Sequence, residues 1–301
     1  MAAPIPSDFF RNLKVFASPD HRPFRWEGGQ PAALLVHGFP GTPADVRPLG
    51  KSLHAAGWTV DAPLLPGFGP DLATLPDRSY AEWVDAVASR VDLLKQDHSP
   101  VVVLGHSMGG ALSLLTTTLV HADGQILLAP YWRFGQPIHH LLWPVLRPFV
   151  RRWRPLKKAN FQDPRVRNSV LRMLPDIDLD DPRAQDELRR FVVPTHLLDQ
   201  LRRLGGVAYA AARRSRVRTL VVQGTRDRLV HPAATAKLFL RLANPAPLEL
   251  VDGSHNVIKP DDGAWEHVEA AVLRFAGSLL LPGSLRRANQ PLSNGFSSTA
   301  S

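Results

Sequence analysis

Short apolar runs alternate with longer mixed stretches along most of the chain. Ala32–His37, Thr59–Ala62, Val101–Gly105, Ile126–Ala129, Thr219–Gln223 and Leu248–Val251 are brief and apolar, with Gly or Pro nearby. Such runs predict strands buried on both faces. Between them, Pro43–Ala56, Ser79–Gln96, Met108–His121, Ala233–Ala243 and Ala264–Leu281 read as helices. Ser79 is a natural N-cap, with Glu82 completing a capping box three residues on. Phe9–Phe16 and Pro23–Trp26, around Ser18-Pro19-Asp20, predict an antiparallel hairpin at one edge. The alternation predicts an α/β fold: a mostly parallel sheet of about eight strands, flanked by helices.

The pattern breaks between Tyr131 and Arg216. Prolines at 137, 144, 148, 155, 164, 175, 182 and 194 chop this segment into short pieces. Phe134–Trp153 mixes aromatics, leucines and arginines, while Ala184–Phe191 and Thr195–Leu204 read as short helices. A proline-broken helical insert after the sixth predicted strand is expected to be a cap. The expected division is a core over residues 1–130 and 217–282, with an arginine-rich helical cap over 131–216. From Asn289 the chain is rich in Ser, Asn and Gly. Residues 283–301 are therefore expected to form a disordered tail.

Composition narrows the chemistry. The chain has 301 residues and no cysteine. Disulfides, thiolate metal sites and cysteine nucleophiles are excluded. Net charge is +9, and residues 131–216 hold 18 Lys/Arg against 8 Asp/Glu. The whole excess thus lies in the insert. No zinc-ligand set or recognisable nucleic-acid-binding fold accompanies it, so nucleic acid is not an expected partner. The N-terminal residues lack a basic and an apolar region, and no apolar run reaches ~18 residues. A cytoplasmic protein, monomer or homodimer, is the expectation.

The chemistry centres on Gly105-His106-Ser107-Met108-Gly109, which follows Val101–Leu104 and precedes Gly110-Ala111-Leu112. Strand, sharp turn and helix are the context that a G-x-S-x-G nucleophile elbow requires. The turn is expected to strain Ser107 and push its hydroxyl into the open. Gly105 and Gly109 suit it because a Cβ there would crowd strand and helix. A serine hydroxyl needs a neighbouring base, and the base an orienting carboxylate. In an elbow of this kind the acid and then the histidine follow later strands. Asp227 lies past Thr219–Gln223 and His255 past Leu248–Val251. Asp252 is the alternative acid, and a salt bridge with Arg226 or Arg228 the alternative use of Asp227. His37 is read as a brace for its loop, and His106 as pointing away from Ser107.

Two backbone N–H groups would stabilise the developing oxyanion, each by roughly 3 kcal/mol. Met108 supplies one at a helix N-terminus, and Phe39, in His37-Gly38-Phe39-Pro40-Gly41, the other. The side chains of Phe39, Met108, Trp132, Leu142 and Trp143 are expected to contact substrate.

These motifs resemble the α/β-hydrolase superfamily. More narrowly, His37–Pro43, the Ser107 elbow, Gln223–Asp227 and Gly253–His255 resemble bacterial carboxylesterases and monoacylglycerol lipases. The resemblance covers about Leu13–Ala129 and Arg218–Leu281, and not the cap. It implies ester hydrolysis without a cofactor or metal, on a small-molecule ester. The expected activity is a serine carboxylesterase for short- to medium-chain esters. Monoacylglycerol lipase, lactonase, C–C hydrolase and acyltransferase activities share the same triad. A ligand-binding module on a hydrolase scaffold is the non-enzyme alternative. Two uses of the cap stay open: an apolar wall with arginines reaching water, or a weak lipid-interface contact.

Overall fold

The computed structural model describes residue 16 and residues 18–133, 152–174 and 176–281. A 3-10 turn, Pro19–His21, leads into β1 (Phe24–Trp26) and β2 (Ala32–Val36). Helix α1 (Pro43–Ala55) precedes β3 (Thr59–Ala62), and a 3-10 segment, Gly69–Asp77, leads to α2 (Tyr80–Asp97). Then come β4 (Val101–His106), α3 (Met108–Thr116) and β5 (Gly124–Leu128). The insert contributes β6 (Arg152–Trp153), α4 (Pro164–Met173), α5 (Pro182–Arg190), β7 (Val193–Pro194) and α6 (Thr195–Ala211). The core resumes with β8 (Thr219–Gly224), α7 (Pro232–Phe239), β9 (Pro245–Val251) and α8 (Trp265–Leu279).

Among the described residues, seven strands form one sheet in the order β1-β3-β2-β4-β5-β8-β9, and β6 and β7 form a separate ribbon. Among the described residues, only β1 runs antiparallel in the main sheet, against β3. Phe24–Trp26 lies at the edge of the described sheet, antiparallel to β3, and the other half of the expected hairpin falls almost wholly outside the described residues. Most of Phe9–Phe16 lies outside the described residues, so the insert follows the fifth described strand rather than the sixth.

Alternation along the central strands divides the core between the two sheet faces. Leu34, Val36, Val101 and Val103 pack with Trp83 and Val87 of α2 and Leu112 of α3. Leu35, Val102, Leu104 and Ile126 pack on the other face with Leu49 and Leu53 of α1 and Phe275 of α8. Both faces are therefore covered, as continuous apolar strands demand. The Ser79–Glu82 capping box forms at the start of α2.

The insert is helical, with differences from expectation. Helix α4 was not predicted, and α6 runs seven residues past the expected end at Leu204. Gly205-Gly206 reads as a stop locally, yet a Cβ at 205 would strike the Trp132 carbonyl. Packing on Trp132 thus uses a glycine inside the helix. The expected tail, 283–301, lies outside the described residues. Among the described residues, no helix is long and apolar enough to cross a membrane.

Candidate active site

Between β4 and α3, Ser107 has φ 54° and ψ −115°. A non-glycine residue adopts this region only when its surroundings compel it. They do so here through hydrogen bonds. Ser107 N–H donates to Leu128 O at 2.9 Å, and Ser107 O accepts from Gly110 and Tyr131 N–H, each at 3.0 Å. A Cβ on Gly105 would overlap the Gly109 carbonyl, and one on Gly109 would overlap Val36 O. The expectation of an open hydroxyl is corrected: Ser107 is 5% exposed. Its hydroxyl is engaged by a histidine rather than by bulk water.

That histidine is His255. Ser107 Oγ lies 3.0 Å from His255 Nε2, and His255 Nδ1 lies 2.8 Å from Asp227 Oδ2. The geometry suits a hydroxyl donating to Nε2 while Nδ1–H donates to the carboxylate. Asp227 Oδ1 accepts from Leu229 N–H at 2.8 Å and Val230 N–H at 2.9 Å. Burial pushes its carboxyl up, but the hydrogen bonds from His255, Val230 and Gln223 outweigh this and hold it below the usual range. Asp252 is not part of this chain of bonds; it pairs with Arg226 at 2.8 Å. The alternative salt bridge for Asp227 is therefore taken by Asp252.

The glycine-rich loop after β2 lies against the elbow. A Cβ on Gly38 would sit 3.2 Å from that of Ser107. His37 is fully buried; Leu65 N–H donates to its Nε2 at 3.2 Å, so Nδ1–H donates to Gly38 O at 2.9 Å. Burial lowers its pKa to about 4, leaving a neutral brace. The Phe39 ring packs edge-on against Phe68, 5.9 Å between centroids, and Met108 is buried at the start of α3. Phe39 thus lies on the loop packed against the elbow, and Met108 at the first position of α3, next to Ser107.

Of the other expected substrate contacts, Leu142 and Trp143 lie outside the described residues. Trp132 is half-buried. Its ring stacks on Tyr209 at 4.1 Å, its Nε1–H donates to Ala234 O at 2.8 Å, and Arg133 lies over it. These contacts join it to both α6 and α7.

Several contacts at the site went unrecognised in the sequence. His106 Nε2–H donates to the backbone O of His255 at 2.9 Å. Ser254 Oγ–H donates to Asp262 Oδ2 at 2.7 Å, bracing the same loop. Lys259 reaches Asp45 of α1 at 2.5 Å. Gln223 donates to Asp227 Oδ2 at 3.0 Å. Each joins segments remote in sequence or turns on a side-chain direction that no motif encodes. Among the described residues, no group of three His, Cys, Asp or Glu is placed to hold a metal.

A strained serine between strand and helix, with acid and histidine beyond later parallel strands, defines an α/β-hydrolase. The chain belongs to the Hydrolase_4 family, described as serine aminopeptidase, S33, whose model matches residues 30–256. Over 92 residues it is 41% identical to a thermostable monoacylglycerol lipase of Bacillus sp. (strain H-257), covering 31% of this chain and 37% of that protein. Over 94 residues it is 37% identical to a carboxylesterase of Bacillus subtilis (strain 168), covering 31% of this chain and 38% of that one. The matched stretches thus span well under half the length of these curated relatives. A solved structure of the metagenome-derived lipolytic enzymes LipS and LipT is 20% identical, with TM-score 0.68, covering 86% of this chain and 98% of that chain. A Paleococcus ferrophilus monoacylglycerol lipase has TM-score 0.59 at 19% identity, covering 86% and 99%. At these identities the structures speak for the fold.

Proposed function

We propose that this protein is a serine carboxylesterase acting on short- to medium-chain carboxylic esters through an acyl-enzyme. The observation that carries the reading is the continuous hydrogen-bond chain Ser107–His255–Asp227, built on the left-handed elbow. In this reading Ser107 Oγ attacks the acyl carbon while His255 Nε2 takes its proton. The carbonyl π electrons move onto oxygen, where Phe39 and Met108 N–H groups stabilise the charge. Collapse expels the alkoxide, which leaves as alcohol with the proton from His255. A water, deprotonated by His255, then attacks the acyl-enzyme and releases acid and free Ser107. Asp227 stays ionised and balances the imidazolium. The apolar Phe39 and Met108 side chains offer the acyl group a surface, and residues 131–216 act as the cap above it.

A second substrate reading, monoacylglycerol lipase, draws support from the 41% identical stretch shared with such an enzyme. One panel separates the readings: p-nitrophenyl esters of two to twelve carbons, 1-monoacylglycerols, and an aminoacyl p-nitroanilide for the activity in the family's description. Wild type is expected to hydrolyse the esters, and Ser107→Ala to lose about 10³-fold or more in kcat with an unchanged melting curve. No ester turnover, or preference for the anilide, would refute the reading. Preference for the monoacylglycerol would select the second substrate.

A further inference from the structure

The carboxylate of Asp227 is served by a residue that no catalytic role has claimed. Gln223, fully buried at the end of β8, places its side-chain Nε2 at 3.0 Å from Asp227 Oδ2, 3.0 Å from Gly224 O and 3.2 Å from Val230 O. Two amide hydrogens thus serve three acceptors. On its other side, Gln223 Oε1 accepts from Thr235 Oγ–H at 2.5 Å, and Thr235 is fully buried too. This fixes the amide orientation. Flipping it would set Oε1 against two carbonyls and a carboxylate.

The contact with Asp227 is more than closure of a loop. Gly224 O and Val230 O alone would satisfy the amide, yet it also reaches the oxygen that His255 uses. Oδ1 is held by Leu229 and Val230 N–H, and Oδ2 by His255 and Gln223. All of the roughly four acceptor positions of the carboxylate are filled. Turning it about Cβ–Cγ breaks a bond in a dry interior, where an unpaired polar group is costly.

We propose that Gln223, anchored by Thr235, is a positioning residue for Asp227, and through it for the His255 ring. This rests on the reading of Ser107, His255 and Asp227 as a catalytic triad. Without the amide, Oδ2 is held by His255 alone, and carboxylate and imidazole swing together. The Nε2–Oγ alignment loosens, while the surfaces that meet substrate are untouched. The loss therefore falls on kcat and not on KM.

Four proteins test this: wild type, Gln223→Met, Thr235→Val and Thr235→Ser. Methionine keeps length without a donor; valine keeps the shape of threonine without its hydroxyl. Steady-state turnover of a p-nitrophenyl ester is measured together with the rate at which a fluorophosphonate probe labels Ser107. Gln223→Met is expected to lower kcat and the labelling rate about 10- to 100-fold, with KM within about twofold. Thr235→Val should lose about 3- to 10-fold in both rates, and Thr235→Ser should recover most of that loss. Unchanged rates in Gln223→Met and Thr235→Val would overturn the proposal. So would a loss carried by KM, or a Thr235→Ser as impaired as Thr235→Val. Should Gln223→Met fail to fold by circular dichroism, the two Thr235 variants decide. A wild type that is labelled at Ser107 yet turns over no ester refutes the ester reading, and labelling rates alone then judge Gln223. A wild type neither labelled nor active removes the triad and this proposal together.

Discussion

His106 occupies the variable position of the elbow and faces away from Ser107, yet it touches the residue that Ser107 depends on. Burial, reinforced by repulsion from His255, lowers its pKa to about 4, so it is neutral at ordinary pH. Its Nε2–H holds the His255 carbonyl at 2.9 Å, tying the elbow to a loop 149 residues later. A part-buried carbonyl that loses its donor is left partly unsatisfied, at a cost in free energy. His106→Leu is therefore expected to lower kcat by about 10-fold on the ester substrate, with a smaller effect on KM. His106→Gln extends an amide nitrogen towards the Nε2 position and should recover part of the loss. Equal kcat values for the leucine variant and wild type would show that the bond holds nothing of consequence.

At the scale of elements, α6 shows how one contact overrides local propensity. Gly205 and Gly206 each weaken a helix by about 1 kcal/mol relative to alanine. Their surroundings differ: a Cβ at 205 overlaps the Trp132 backbone, while one at 206 meets nothing within 4 Å. The helix needs the first glycine to lie close to Trp132, whose ring then stacks on Tyr209. Gly206→Ala is thus expected to stabilise the protein by ~0.5–1 kcal/mol, and Gly205→Ala to destabilise it by ~1–3 kcal/mol. Urea denaturation of the two variants checks the sign of each. Matching shifts would mean that α6 does not depend on this approach.

Across the whole molecule, buried ionisable groups couple stability to pH. His37 and His106 titrate near 6.5 when unfolded but at about 4 when folded, because burial disfavours the imidazolium. Between those values the unfolded chain binds more protons, so stability falls as pH falls from 6.5 to 4. At about 1.4 kcal/mol per unit, each histidine contributes a few kcal/mol to this loss. Asp45, Asp227 and Asp262 sit below the usual carboxylate range: burial opposes this, and hydrogen bonds, with Lys259 beside Asp45, prevail. Their stabilisation is present above the ordinary carboxylate pKa and is lost as pH drops through the folded values. Both effects have the same sign. The melting temperature is expected to hold near pH 7 and decline steadily towards pH 4.5, as read by calorimetry. A flat profile over that interval would contradict the burial of these histidines.

Much of the fold and the site was legible in the residues themselves. Strand runs and amphipathic stretches fall where local sterics and a two-faced core require them. Ser107, Asp227 and His255 were picked out because each follows a predicted strand, in the order that an elbow of this kind requires. Other features had no local signature. Helix α6 continues through two glycines because Trp132 packs there, and the seat of Trp132 is set by Tyr209 and Ala234. Ser107 is buried, and its hydroxyl meets His255, a residue 148 positions away. Lys259 finds Asp45 across 214 residues. Backbone propensity and side-chain periodicity act over a few residues, so the sequence alone determined the elements, their order and the catalytic candidates. Which buried polar group faces which depends on distances between segments. Those distances exist only once the sheet has assembled, and so the tertiary structure decided how His106, Gln223 and Asp262 hold the site in place.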